Sequence, residues 1–232
     1  ASPSVLGVSS GASLGAVLAI FSGLAMTSVW LLPVFSFIGA GLTILVVYTI
    51  ASRRGHVPMG TLLLAGIAVS ALNVAMISLI IALSQSNWEV ARMILHWTMG
   101  GLEGRTWSHV LLITPVAIVG LLILMTYSKD LDVMLLGETD ALSVGVDVSR
   151  TRNILLVVTS CMVGAAVSVA GGIGFIGLVV PHILRLCMGP YHRYLLPASA
   201  LGGGICLVGA DLSLRSFFPE QAIPLGVATA TL

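Results

Sequence analysis

The sequence predicts an all-α protein, a bundle of helices that crosses a membrane several times, and three observations carry that prediction. Hydrophobic residues fill 57% of the 232 positions and charged residues only 8%, whereas a soluble domain carries roughly a quarter charged residues. Apolar runs of membrane-spanning length recur along the chain. What charge there is lies bunched: of ten basic and nine acidic residues, eight fall between Lys129 and Arg152. The net charge of +1 and the lack of a basic tract exclude a nucleic-acid partner. Cys161, Cys187 and Cys206 stand singly in apolar stretches without metal-ligand spacing, so they read as small packing residues.

A helix needs about 20 apolar residues to cross the hydrocarbon core. On that measure spans are expected near 11–29, 31–51, 60–84, 107–127, 153–171 and 195–213, with another beginning near Ile223. Trp30, Trp88, Trp97 and Trp107 lie at or beside span ends, where amphipathic rings favour the headgroup layer. Pro33, Pro58 and Pro224 lie near span starts, where a missing N–H costs little. The run 175–189 is short, since fifteen residues reach about 22 Å of a roughly 30 Å core. Charge favours crossing over re-entry. A crossing puts Arg53, Arg54, Lys129, Arg150, Arg152, Arg185 and Arg193 on one side and Arg92, Arg105 and Arg215 on the other. That is the bias of a cytoplasmic first side. The whole of 1–232 reads as one membrane domain, about seven complete spans and the start of another. Its first stretch, ASPSVLGVSSG, and its last, ATATL, fall inside apolar runs, as expected of a piece of a longer protein.

Residues 129–152 form a polar island in this oil. Arg53 is the first formal charge, and none occurs between Thr106 and Ser128 or between Asn153 and Leu184. Two short helices are expected there, near Asp130–Leu136 and Glu138–Val144. Gly137 separates them and Gly145 ends the second in the left-handed conformation. Leu142 and Val146 offer an apolar face at helical spacing. Two readings stand at this point, a solvated loop between spans or a docking surface for a soluble partner.

Elsewhere the residues are weighed one by one. Gly11 and Gly15, Gly66 and Ser70, Gly164 and Ser168, and Gly202 to Gly204 are small positions suited to close helix packing. Gly172-Ile-Gly174-Phe-Ile-Gly177 matches a dinucleotide fingerprint by letter. It lacks the preceding strand and the acid about 20 residues on, and reads instead as a tight outer turn. Asp211 and Arg215 are spaced to pair on one helix face at the outer end of a span. His182 after Pro181 reads as a satisfied interior histidine. Asn73 in mid-span faces either other helices or a water-filled path. No catalytic or phosphate-binding constellation and no metal set is visible. The chain is therefore not expected to be an enzyme or to carry a cofactor, and any energy source lies on another chain.

A set of blocks then resembles one family. They are Leu6-Gly-Val-Ser-Ser-Gly-Ala12, Leu62-Leu-Leu-Ala-Gly-Ile-Ala68, Trp97-Thr-Met-Gly-Gly101 with Trp107, and Leu136-Gly-Glu with Gly145-Val146. Further on come Gly174-Phe-Ile-Gly-Leu-Val-Val-Pro-His-Ile-Leu-Arg185, His192-Arg193 with Leu196-Pro197, Ala210-Asp211 with Arg215, and Ile223-Pro-Leu-Gly-Val227. In order and together they resemble the FecCD family, permease subunits of bacterial type II ABC importers for iron–siderophores, haem and cobalamin. The resemblance implies a ten-helix subunit of which helices three to nine and the start of ten are present. It also implies a second permease copy, identical or related, cytoplasmic ABC ATPase subunits, a periplasmic or lipid-anchored binding protein, and a bacterial inner membrane.

By the same resemblance, the ATPase-coupling surface is Leu136, Gly137, Glu138, Thr139, Asp140, Ala141, Leu142, Gly145 and Val146. Arg215 corresponds to an outer arginine that meets a glutamate of the binding protein. Met59 and Gly60 correspond to the inner gate, and Gly66, Ser70 and Asn73 to the pathway wall. The expected function is ATP-driven import of an iron chelate by alternating access, a ferric siderophore before haem or cobalamin. The rival from another class is an ion-coupled secondary transporter using Asp211, Asn73 and His182. A non-transporting membrane scaffold is the third reading.

Overall fold

In a computed structural model of the chain, the described residues are 7–28, 30–52, 59–217 and 223–230, with Met59, Glu138 and Ala230 described by backbone alone. Arg53, Arg54 and Pro58 lie outside them. The described residues form eleven α-helices and no strand. They are α1 (Val8–Phe21), α2 (Leu31–Ala51), α3 (Met59–Leu83), α4 (Trp88–Thr98), α5 (Trp107–Thr126), α6 (Ser128–Met134), α7 (Glu138–Ser143), α8 (Val148–Ala170), α9 (Ile176–Met188), α10 (His192–Phe217) and α11 (Leu225–Ala230). Five of them, within α2, α3, α5, α8 and α10, are long and apolar enough to cross a membrane. Few of their side chains are buried inside the chain, and Leu42, Leu45, Leu64, Leu111, Leu201 and Ile205 face outward. An apolar exterior is what lipid or another apolar surface requires.

The core forms around α1, which packs against α2, α3, α4 and α8. Val8, Ala12, Ala16 and Val17 are wholly buried there. A Cβ added at Gly11, Gly15 or Gly39 would run into the facing backbone of α1 or α2. Without a hydrophobic force between helices in lipid, close backbone approach of this kind is what gives them contact area. Gly164 and Ser168 of α8 serve the same purpose, Gly164 against Ala40 and Ser168 in full burial.

The first span differs from expectation. The sequence predicts a helix over 11–29, but α1 runs from Val8 to Phe21, and residues Leu24–Met26 form a separate turn of 3-10 helix. Ser22 and Gly23 turn the chain there, Gly23 with φ 75° and its N–H bonded to Ile20 at 3.0 Å. Hydropathy cannot register this break, because Leu24, Ala25 and Met26 are as apolar as a continuing helix. The sequence reading also has no α4. At eleven residues it is too short to span, yet it is amphipathic, with Ala91, Ile94 and Trp97 buried on one face and Asn87 capping its start by accepting from Val90 N–H.

The short run resolves as a crossing. Ala170 at the end of α8 accepts from Gly101 N–H at 2.8 Å, beside the start of α5. Past α9, His192 meets Asp132, beyond the other end of α5. The segment 171–191 thus joins opposite ends of the bundle. The α9 helix covers about 20 Å of that depth and the non-helical Gly171–Phe175 and Gly189–Tyr191 supply the rest.

Candidate functional site

The two ends of the bundle are built differently. At one end, α6 and α7 form a small ordered foot over the polar island. The α6 helix opens two residues before the expected start, directly after α5, and Gly137 (φ 127°) separates it from α7. Gly145 takes φ 89°. Its N–H reaches Leu142 C=O at 3.1 Å and Val146 N–H reaches Ala141 C=O at 3.0 Å. This is a Schellman closure, which satisfies carbonyls that a helix end otherwise leaves open. Ala141 is fully buried, and Asp147 then starts α8 by accepting from Arg150 N–H at 3.0 Å.

The foot's outward face is apolar in a charged setting. Leu135, Leu136, Leu142 and Val144 are 54%, 74%, 61% and 71% exposed. Val146, expected to share that face with Leu142, is instead half-buried behind Ala141 because the Schellman closure turns the chain back. Thr139 and Asp140 are exposed beside the leucines, and the Glu138 side chain lies outside the described residues. Leu142 and Val144 follow on one short helix with no protein above them, which is the surface of a docking element.

The opposite end carries a cavity of about 650 Å³ between α4, the loop before α5, the end of α10 and the start of α11. Its charged lining is Glu89, Arg92, Glu103, Arg105 and Asp211, with Trp88 and Trp97 as aromatic walls. Partial dehydration at its wall lowers Arg105 from the ordinary arginine value, without discharging it at neutral pH. Asp211 pairs with Arg215, Oδ2 to Nε at 2.8 Å and Oδ1 to Nη2 at 3.3 Å. Below the cavity three backbones meet without side chains. A Cβ on Gly226 would strike the carbonyls of Met99 and Gly172, and one on Gly100 would strike Gly172. The fingerprint-like glycines therefore serve a turn, as expected. Within it Phe175 has φ 65° and Ile176 N–H bonds back to Gly174 C=O at 2.8 Å, a strained three-residue turn.

The residues expected along the pathway need correction. Asn73 is buried, and its amide donates to Ser10 and Thr43 hydroxyls at 3.2 Å each. Of the two settings open to it, other helices or a water path, it takes the first. Gly66 is buried too, and Ser70 and Gly66 both lie against Gly7. A wall position needs a free face, and these three spend theirs on α1 and α2. The exposed side of α3 carries Leu64, Ile67, Leu72 and Val74 instead. Gly60 is exposed with open space at its Cβ position, and the Met59 side chain lies outside the described residues. His182 is exposed on α9, not interior, because α9 buries none of its residues within this chain. Asn73, His182 and Asp211 thus have separate surroundings on three helices, which removes the convergence an ion site needs. No group of three or more His, Cys, Asp or Glu could hold a metal among the described residues.

Sequence reasoning missed two constellations. The outer cavity joins Arg92, Arg105 and Asp211, whose separation in the chain hides them from any local pattern. The foot is tied to α10 by Asp132 and His192, 60 residues apart, with Oδ1 at 2.6 Å from Nδ1.

A bundle with several membrane-length helices, a backbone-locked outer end and an ordered polar foot defines a multi-pass membrane protein of the transporter type. Comparison with known proteins makes the class specific: residues 1–232 match the FecCD transport family throughout, and the chain belongs to that family. It is 46% identical over 234 residues to the cobalamin import system permease protein BtuC of Halobacterium salinarum, covering 100% of this chain and 61% of that protein. It is 42% identical over 234 residues to the uncharacterized ABC transporter permease protein YvrB of Bacillus subtilis, covering 99% and 65%. The vitamin B12 import system permease protein BtuC of Salmonella arizonae is 41% identical over 232 residues, covering 100% and 69%. The chain thus spans 61% to 65% of the length of the first two of these relatives. Among solved structures, a metal-chelate type ABC transporter in an inward-facing conformation superposes with a TM-score of 0.92 at 28% identity, over 100% of this chain and 72% of that one.

Proposed function

We propose that the chain is the permease part of an ATP-binding-cassette importer in a bacterial inner membrane, performing no chemistry itself. The observation that carries this reading is the foot: two short capped helices that hold Leu136, Leu142 and Val144 out of the bundle beside Thr139 and Asp140. A cytoplasmic ATPase dimer closing on ATP must push on a firm element at the membrane face, and the Schellman-closed α7 supplies one. A second permease copy, identical or related, completes the pathway, and the exposed apolar face of α3 supports such a partner. Met59 and Gly60 sit at the inner start of α3, in keeping with a gate there.

Arg215 receives the binding protein. Asp211 engages its Nε and one Nη, which leaves further guanidinium N–H groups to fork onto a partner carboxylate. The cargo is a bulky metal chelate. A ferric siderophore is the cargo expected from the sequence alone. The relatives named for cobalamin and vitamin B12 move the reading toward a corrinoid, and the neighbour titled a metal-chelate transporter agrees with the broader class.

The test is reconstitution of the full-length permease with its ATPase in liposomes. Loaded binding protein is expected to stimulate ATP hydrolysis and drive uptake of labelled cyanocobalamin in preference to ferric siderophores. Uptake that follows a proton gradient without ATP would contradict the proposal. Replacing residues 137–145 by a flexible linker is expected to release the ATPase on purification, and retained co-purification would rule out the foot as its docking surface.

A further inference from the structure

We propose that Asp132 is a positioning residue that clasps the foot to α10, so that motion of the foot reaches the helix whose far end carries Asp211 and Arg215. The proposal rests on the importer reading above. One carboxylate oxygen makes both contacts: Asp132 Oδ1 accepts from His192 backbone N–H at 2.9 Å and lies 2.6 Å from His192 Nδ1. It therefore satisfies an open N–H at the first turn of α10 and grips the first side chain of that helix. The pair is shielded, with side-chain exposures of 13% for His192 and 28% for Asp132, whereas Arg215 at the other end of α10 is 56% exposed.

The chain itself joins the foot to α5 before it and to α8 after it. The clasp adds a lateral attachment to a third membrane helix. That helix is long, 26 residues or about 39 Å, and its neighbours include α6 and α11. At its outer end Asp211 lines the cavity alongside Ile223 and Leu225. A displacement of α6 that kept the clasp intact would carry the start of α10 with it. A foot without the clasp could rotate on its own linkers, and ATP-driven motion would then be lost before reaching the outer end.

A mere helix cap would also place Asp132 here, so the test needs a readout that a cap alone does not move. In full-length permease with its ATPase and binding protein in liposomes, the quantity to measure is cobalamin taken up per ATP hydrolysed. Asp132→Ala and His192→Ala are each expected to lower it at least fivefold while the ATPase still co-purifies. The double variant should be no worse than either single one, since both remove the same contact. Asp132→Asn, which keeps an acceptor for the N–H, should recover most of the loss. His192→Phe keeps the cap and removes only the ring nitrogens, so it carries the test if the alanine variants do not fold, with an expected loss of at least threefold. Uptake per ATP within twofold of wild type in the variants that fold, or a double variant whose loss is the product of the two single losses, would overturn the clasp. Absence of any stimulated hydrolysis in the wild type would instead sink the importer reading, and the clasp with it.

Discussion

The outer junction and the inner foot hold their parts together by opposite means. At the junction, the ends of α4 and α8 and the start of α11 meet backbone to backbone, with no room for one methyl group on Gly226 or Gly100. At the foot, two short helices touch the bundle through a buried Ala141 and the Asp132 clasp, and present their largest apolar side chains to the outside. The contrast separates fixing from docking. A tightly packed site responds steeply to added volume and hardly at all to charge nearby. A docking site tolerates change in the isolated chain and fails only when its partner is asked to bind.

Substitutions at the two ends should therefore differ in which measurement they disturb. The largest effect is expected at the junction. Gly226→Val places a branched side chain against the Met99 and Gly172 carbonyls, and overpacking of this kind costs about 1–3 kcal/mol or more. Thermal unfolding of the purified permease should fall by several degrees, and an unchanged midpoint would break the junction half of the comparison. At the foot, Leu142→Asp removes an outward side chain, so the melting point should stay within the scatter of surface changes, about 0.5 kcal/mol. Affinity for the ATPase should drop at least tenfold, about 1.4 kcal/mol. Equal losses of stability and binding would erase the distinction. Arg215→Glu should weaken binding-protein docking with stability intact, because its partner Asp211 is already half-exposed at a surface. The smallest effect is expected at Asn73→Ala. Its two bonds join three helices, but interhelical bonds in lipid average about 0.6 kcal/mol, and Ser10 also bonds Gly7 C=O.

Much of the membrane layout was legible because lipid imposes a strict grammar. Charge survives only where water reaches, so the island from Lys129 to Arg152 marked the foot, and Gly137 and Gly145 marked its joints. Spans long enough to cross announced themselves by length. The signals that failed were those that length and hydropathy do not encode. The α4 helix falls below spanning length although its period of buried residues is plain. The end of α1 at Phe21 depends on a turn at Ser22 and Gly23 inside an apolar run. The face that Asn73 presents to Ser10 and Thr43, the exposure of His182, and the meeting of Asp132 with His192 are all tertiary. They follow from which helices neighbour one another, and no local window contains that information.

The opposite placement of the two ends across the membrane is the claim on which the rest depends, and cysteine accessibility tests it most directly. With Cys161, Cys187 and Cys206 replaced by serine, Thr139→Cys and Glu103→Cys would each be exposed to a membrane-impermeant maleimide. In right-side-out vesicles Glu103→Cys should label and Thr139→Cys should not. Inverted vesicles should reverse the pattern, and added ATPase should then block Thr139→Cys. Labelling of both positions from the same side, or of Thr139→Cys from outside, would contradict the account.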